Sequence, residues 1–428
     1  MSEISLDGQI FIDLKIDGKD IPVGLPNFLT ELAIIENVAG VPVLSMTIND
    51  SEGYISENIP FTDSNKFSII IASDKSELKE NKSLDFRLFN WSAVQYQKGF
   101  TYKINAMFDN HSYITEVISK AYSGSSDYVI SEIAKACKLD YVGTDSCVDS
   151  QNWLNFSDTL STFAKKIAQH SFIQNGCMAL CLCANGDLIY KDMIKAINGE
   201  PDGYFDNSNT EQKAGVHTLQ EYAPSSSAGF MNAWLNYGYV TVEDLLSGMN
   251  TSYDAVTLTS TSGGAAAINE DISNSIKSVR KDYVIQDCGN THPKYWKTFH
   301  NNIRILSLFS QKMIILVDRV TNLVPLDVVD LNIINISSNK PTLFSGKYLI
   351  GAKKTLVKGT KYAEIFELYR NTMPKRGEAP LSNSGPPGGV QNITTEKNPP
   401  RKTQKVTMIT TGPVEVATTA NANTVIPK

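Results

Sequence analysis

Reactive side chains are scarce in this sequence. Six cysteines and five histidines are spread over 428 residues. Six thiols are too few to scaffold a chain of this length with disulfides, and no segment directs it to an oxidising compartment, so they read as reduced. The start, Met1-Ser2-Glu3-Ile4, lacks the basic and apolar regions of a signal peptide. No run approaches the ~18 consecutive apolar residues of a membrane-spanning helix. Cationic residues are outnumbered, with Lys+Arg 39 against Asp+Glu 45 and a net charge of -6. A mildly acidic chain is a poor candidate for wrapping nucleic acid. Together these absences predict a soluble protein made in the cytoplasm, with no membrane insertion.

Catalytic constellations are missing too. His111, His170, His217, His292 and His300 stand singly, without a His-Glu-x-x-His. There is no G-x-S-x-G elbow and no G-x-x-x-x-G-K-[ST] loop. Ser76-x-x-Lys79 matches a fragment of the penicillin-binding-protein motif, but in a charged loop without its companions, and reads as chance. Asp140, Asp145, Asp149 and Asp158 lack calcium-loop spacing and are expected on a solvated surface. Cys177, Cys181 and Cys183 share one face of a strand with Ala179. Residues two apart on a strand have Cβ atoms roughly 6.5–7 Å apart, whereas thiolates around one zinc lie about 3.8 Å apart. Core packing is therefore favoured over a metal or redox site. His292-Pro293-Lys294-Tyr295-Trp296 reads as a Pro-initiated turn whose rings pack on a neighbouring domain, with a recognition loop as the alternative. No catalytic, cofactor-binding or metal residue is assigned, and no cofactor is expected.

What is present is strand pattern. With 42% hydrophobic residues the chain can build about three domains. Ile10, Ile12, Leu14 and Ile16 alternate with polar residues, and Asp17-Gly18 supplies a tight hairpin with Ile21 on the return. Strand-like runs follow at 32–35, 41–48, 67–71, 84–91 and 102–108. After residue 110 the pattern becomes α+β. A short strand is expected over 113–118. One helix follows with Ser126 or Asp127 as N-cap, and a second carries Leu160, Phe163, Ala164, Ile167 and Ala168 behind Ser157 or Asp158. The run from Cys177 to Cys183 then pairs through Asn185-Gly186 with Leu188-Ile189-Tyr190. Strands are expected again over 230–240, 313–317, 328–334, 346–356 and 362–369. Beyond Thr372, Pro, Gly, Ser, Thr and Asn dominate, and the segment cannot bury enough apolar surface to offset its ordering entropy.

Particular stretches carry a family resemblance. They are Tyr122-Ser123-Gly124-Ser125-Ser126 with Ile130-Ser131-Glu132-Ile133-Ala134, then Trp153-Leu154-Asn155-Phe156-Ser157-Asp158, then Phe163-Ala164-Lys165-Lys166-Ile167-Ala168, then Asn185-Gly186-Asp187-Leu188. Phe344-Ser345-Gly346-Lys347-Tyr348-Leu349-Ile350 and Ile365-Phe366-Glu367-Leu368-Tyr369-Arg370 follow near the end. In this order they resemble the baseplate hub proteins of contractile-tailed phages, the late control protein D family and the N-terminal region of type VI secretion spikes. The resemblance covers roughly residues 1–372.

The resemblance implies a mainly β, α+β chain with a first β-barrel tube domain (1–109) and an α+β domain (110–198). A second barrel would be split (199–240 and 301–372) around an insertion packing with the α+β domain (241–300), and an extended tail would close the chain (373–428). It implies a structural, non-enzymatic homotrimer in the virion tail baseplate. The ring would adapt a six-fold tail tube to a three-fold central spike and form part of the DNA channel. Expected partners are the chain itself, the tube protein and the spike, then the tape measure and baseplate wedge proteins; DNA only passes through. The alternatives are a tail-associated cell-wall or polysaccharide hydrolase using paired carboxylates, and a spike-hub component of a type VI-like injection apparatus.

Overall fold

Alternating apolar residues become the first strands in the computed structural model. It describes residues 3–207 and 311–370 with short interruptions, residues 216–226, and the strand backbones at 237–244, 249–254 and 281–287. All of the described residues lie in one unit, residues 1–382. The expected tail, the His292–Trp296 motif and most of the 241–300 insertion lie outside the described residues.

The first region holds β1 (Glu3–Leu6), β2 (Ile10–Ile16), β3 (Lys19–Asp20), β4 (Leu29–Asn37), β5 (Val43–Asp50), the short α1 (Tyr54–Asn58), β6 (Lys66–Ala72), β7 (Leu84–Tyr96) and β8 (Gly99–Phe108). In β2 every second residue is buried, as the alternation requires. Asp17 and Gly18 take φ of 50° and 77°, the left-handed pair of a tight hairpin turn. The return strand is only Lys19–Asp20, and Ile21 lies just beyond it while donating its N–H to Leu14 O at 3.0 Å. The strands run in the order β1-β2-β6-β7-β8-β5-β4 around a core that includes Leu14, Ile34, Phe67, Phe86 and Ile104.

The α+β region contains α2 (His111–Ile114), β9 (Lys120–Gly124), α3 (Ser126–Ala136), β10 (Asp140–Val142), β11 (Gln151–Asn155), α4 (Leu160–His170), β12 (Met178–Leu182), β13 (Asp187–Asp192) and α5 (Met193–Asn198). The strand expected over 113–118 is replaced by the one-turn α2, because the Asn110 side chain accepts the Tyr113 N–H and Tyr113 is buried. Both expected helix caps shift by one residue. Ser125 is the N-cap of α3, and Thr159 caps α4 by accepting the Thr162 N–H. Helices α3 and α4 bury Val129, Ile130, Ile133, Phe163 and Ile167 in one core.

Strand β12 is buried on both faces, which explains its unbroken apolar sequence. Met178, Leu180 and Leu182 enter the α+β core, while Cys177, Ala179, Cys181 and Cys183 enter a separate core with Leu326, Val328 and Leu349. The shared face expected for the cysteines is present, and it is the contact surface toward the C-terminal strands.

The remaining strands are β14 (Gly203–Asp206), β15 (Val216–Thr218), β16 (Glu221–Ser226), β17 (Tyr237–Asp244), β18 (Met249–Asp254), β19 (Lys281–Asp287), β20 (Gln311–Val317), β21 (Val328–Asn332), β22 (Ile334–Asn335), β23 (Lys340–Pro341), β24 (Gly346–Lys358) and β25 (Lys361–Arg370). Strands β18-β17-β19 form their own three-stranded sheet. Phe205, Ile315, Leu331, Tyr348 and Phe366 fill another core, enclosed by β14, β20, β21, β24 and β25. The fold is mainly β, with two curled halves and an α+β part. The two halves are not separate sheets. Pairing of β4 with β24 joins them into one 15-stranded, largely antiparallel sheet.

Candidate functional site: a polar seam and two open sheet edges

The seam pairs residues more than three hundred positions apart. Glu36 of β4 lies opposite Lys353 of β24, and Ile34 lies opposite Thr355. Period-2 alternation turns Glu36, Lys353, Thr355 and Glu364 toward the interior, where all are buried. Buried charges persist only when paired and hydrogen-bonded.

Here Lys353 Nζ meets Glu364 Oε1 at 3.2 Å and donates to the carbonyls of Thr321 at 3.2 Å and Leu323 at 3.0 Å. Glu364 also accepts from Tyr362 OH at 2.7 Å, from Thr321 Oγ1 at 2.6 Å and from Thr321 N at 3.1 Å. Burial, then the adjoining Glu364, pushes the Tyr362 phenol well above its usual value. Glu36 Oε1 accepts the Ala184 N–H at 2.7 Å, so the Asn185-Gly186 turn of the α+β region is held on the seam. Burial raises the Glu36 carboxyl above its ordinary range, against the pull of Lys353.

From β7 to β16, eight strands follow one another antiparallel in the order β7-β8-β5-β4-β24-β25-β20-β16. Strand β6 pairs β7 over 84–87 and the Leu88 N–H donates to Asn65 O at 2.9 Å, so among the described residues the second edge of β7 is open from Phe89 on. At the other end, among the described residues, β16 pairs only with β20. The face turned away from the cores mixes Lys103, Lys312 and Lys354 with Glu31 and Glu367, among Ser45, Thr47 and Asn105. Lys312 and Glu367 form an ion pair of 2.8 Å on it.

The aspartates expected on a solvated surface divide. Asp140 and Asp158 pair with Lys82 and Lys166, each at 2.6 Å, at the surface. Asp149 is buried and accepts the N–H groups of Ser126 and Phe172, both at 2.8 Å, supplying the start of α3 with an acceptor. Asp145 is buried as well and accepts from Asp192 N and Lys195 Nζ. Unpaired backbone donors outweigh the preference of carboxylates for water at these two positions.

Donor atoms of Asp127, Cys147 and Asp149 lie within 4.8 Å of one another. Their oxygens already serve backbone amides, including that of Cys147, and burial pushes the Cys147 thiol up to about 12. A protonated thiol beside amide-bound carboxylates is a poor metal ligand set. The Cys183 thiol is also held up, by the Cys181 thiol and by burial. Ser76 lies exposed beside a 3-10 turn. Among the described residues no helix is long and apolar enough to cross a membrane.

No protein-family model matches the chain, and no curated protein matches it. Among solved structures, the 43 kDa tail protein of prophage MuSo2 from Shewanella oneidensis superposes with a TM-score of 0.55 at 10% identity, covering 85% of this chain and 98% of that one. The tail protein from Neisseria meningitidis MC58 gives 0.54 at 7% identity, with 85% and 98% covered. The chain has the fold of these tail proteins.

Proposed function

We propose that the chain is a structural baseplate hub of a phage tail, closing as a ring of three copies around a channel. The observation that carries this reading is the run of eight antiparallel strands, with an open edge at each end among the described residues. Three copies joined from β7 to β16 supply 24 strands. At about 4.8 Å per strand the backbone ring is roughly 37 Å across, and strand tilt widens it further. Eight-stranded barrels are filled by their own side chains, while barrels of about sixteen or more enclose water. Such a ring therefore has a lumen. Closed homo-oligomeric rings are ordinary, and they leave no edge exposed.

The two curled halves of each copy offer six similar positions to a six-fold tube protein. The α+β parts, repeated three times, suit a three-fold spike. The proposed organisation keeps the segments 1–109, 110–198, 199–240, 241–300, 301–372 and 373–428 as first tube domain, α+β domain, start of the second tube domain, insertion, rest of the second tube domain and tail. The core-averted face would line the channel. Its charges of both signs among neutral polar residues give DNA no continuous cationic track, so the genome passes without being held. The fold shared with two tail proteins supports placement in a virion tail. For the hydrolase alternative, the buried carboxylate pair at the seam is unsuited, because Glu364 already accepts from Lys353, Tyr362 and Thr321.

Hydrogen exchange tests the joint. On an open edge, alternate amides of 89–96 face water and exchange like those of an unfolded chain. In the ring all of them are protected to the level of β5 and β8. Fast alternate exchange in the full-length protein would contradict the edge-to-edge ring.

A further inference from the structure

The seam borders a cavity of about 360 Å³. Its lining includes Ile34 and Glu36 on β4, Ala184 and Asn185 on the hairpin turn, and Lys353, Thr355, Tyr362 and Glu364 on β24 and β25, with further residues from β6, the start of β7 and the 320–324 loop. Cavities that hold small ligands run from about 300 to 1,000 Å³, so this one suits a single side chain or a small molecule.

Its polar groups do not all balance. The three N–H bonds of Lys353 are directed at Glu364, Thr321 O and Leu323 O. Glu364 accepts from four donors at its two oxygens. That pair is closed. The second cation at the cavity, Lys82, is 56% exposed and pairs with Asp140 at 2.6 Å. Glu36 is only 7% exposed. Its Oε1 takes the Ala184 N–H, and among the described residues no donor is placed on Oε2, which is not sealed from the cavity space. Lys353 and Glu364 cancel each other, Lys82 is neutralised by Asp140, and the remaining charge of the cavity is that of Glu36.

We infer that the cavity is a binding site for a cationic nitrogen group, a protonated amine or a guanidinium, donating to Glu36 Oε2. Ile34, Ile71, Leu84 and Val324 supply apolar wall for the aliphatic stem of such a group. The groups facing Glu36 are Lys353 from β24, Glu364 and Tyr362 from β25, and the Ala184 N–H and Cys183 from the turn. None of these supplies a further donor to Oε2. The same chemistry can come from the lysine or arginine of a docking protein or from a free small amine. The inference stands on the cavity alone and does not depend on the ring.

Calorimetric titration of the full-length protein tests it, with a capped lysine amide and with putrescine as probes, at fixed ionic strength. Both probes are expected to compete for one saturable site, and Glu36→Gln is expected to weaken binding about tenfold or more. Glu36→Gln keeps an oxygen for the Ala184 N–H and so preserves the fold. Binding should also release protons, read as a dependence of the measured heat on buffer ionisation enthalpy, because the amine favours the charged form of Glu36. Tighter binding of the capped lysine points to a side chain of another protein, and tighter binding of putrescine to a free amine. Absence of saturable binding, or equal affinity in Glu36→Gln, would overturn the site.

Discussion

At the residue scale, Glu36 shows how a tertiary pairing overrides the character of a side chain. A glutamate just after an apolar run and before Asn37 reads as a strand end, yet it is 7% exposed and opposite Lys353. Its carboxyl titrates above the ordinary 4.5 because burial outweighs Lys353. The folded state therefore holds the Glu36 proton more tightly than the unfolded chain does. Its contribution to stability is full below about 4.5 and falls as pH rises toward the folded value. Each unit of such a shift is worth about 1.4 kcal/mol. Glu36→Gln should thus gain stability relative to the parent as pH rises from 4.5 to 8 in denaturant titrations, and a constant difference would contradict the assignment. Asp149 and Asp145 were illegible for a related reason. The amides they satisfy lie 23 and 47 residues away. The cysteine face at Cys177, Cys181 and Cys183 was legible, because strand alternation alone determines it.

At the element scale, the turns and long strands followed from local rules. The Asp17-Gly18 and Asn185-Gly186 turns were readable because positive φ favours few residue types. Strand β9 and the one-turn α2 were not, since a single cap at Asn110 decided between strand and helix. Two glycines separate conformational from steric demand. Gly186 sits at φ +88°, and a Cβ there would make only ordinary contacts, with Lys82 Nζ at 3.6 Å and Phe108 Cζ at 3.8 Å. At Gly99, on the first residue of β8, a Cβ would strike the Asp50 carbonyl oxygen and lie 2.7 Å from Ser51 Cα. Backbone cannot step aside as a flexible side chain can. Gly186→Ala should cost about 1 kcal/mol from the left-handed backbone alone, and Gly99→Ala about 3 kcal/mol. Equal losses in chemical denaturation would show that the approach at Gly99 is relieved by backbone movement. Pro224 lies within the edge strand β16 and removes one N–H from it, which restricts what can pair there.

At the scale of the whole molecule, the mainly β, α+β class was legible from strand patterning, but the joining of the two halves was not. Periodicity assigns each strand a buried face; it does not say that β4 meets β24, since that register depends on packing across the length of the chain. The seam turns two curled halves into one sheet and, among the described residues, leaves β7 and β16 as open edges, on which the proposed ring would be built. A trimer sealed through such edges buries on the order of 2,000 Å² or more at obligate interfaces, so it should persist on dilution. The most direct measurement is the mass of the full-length chain by light scattering across a dilution series, alone and with tube or spike protein added. A species of three chains is expected throughout. A stable monomer under all of these conditions would contradict the ring.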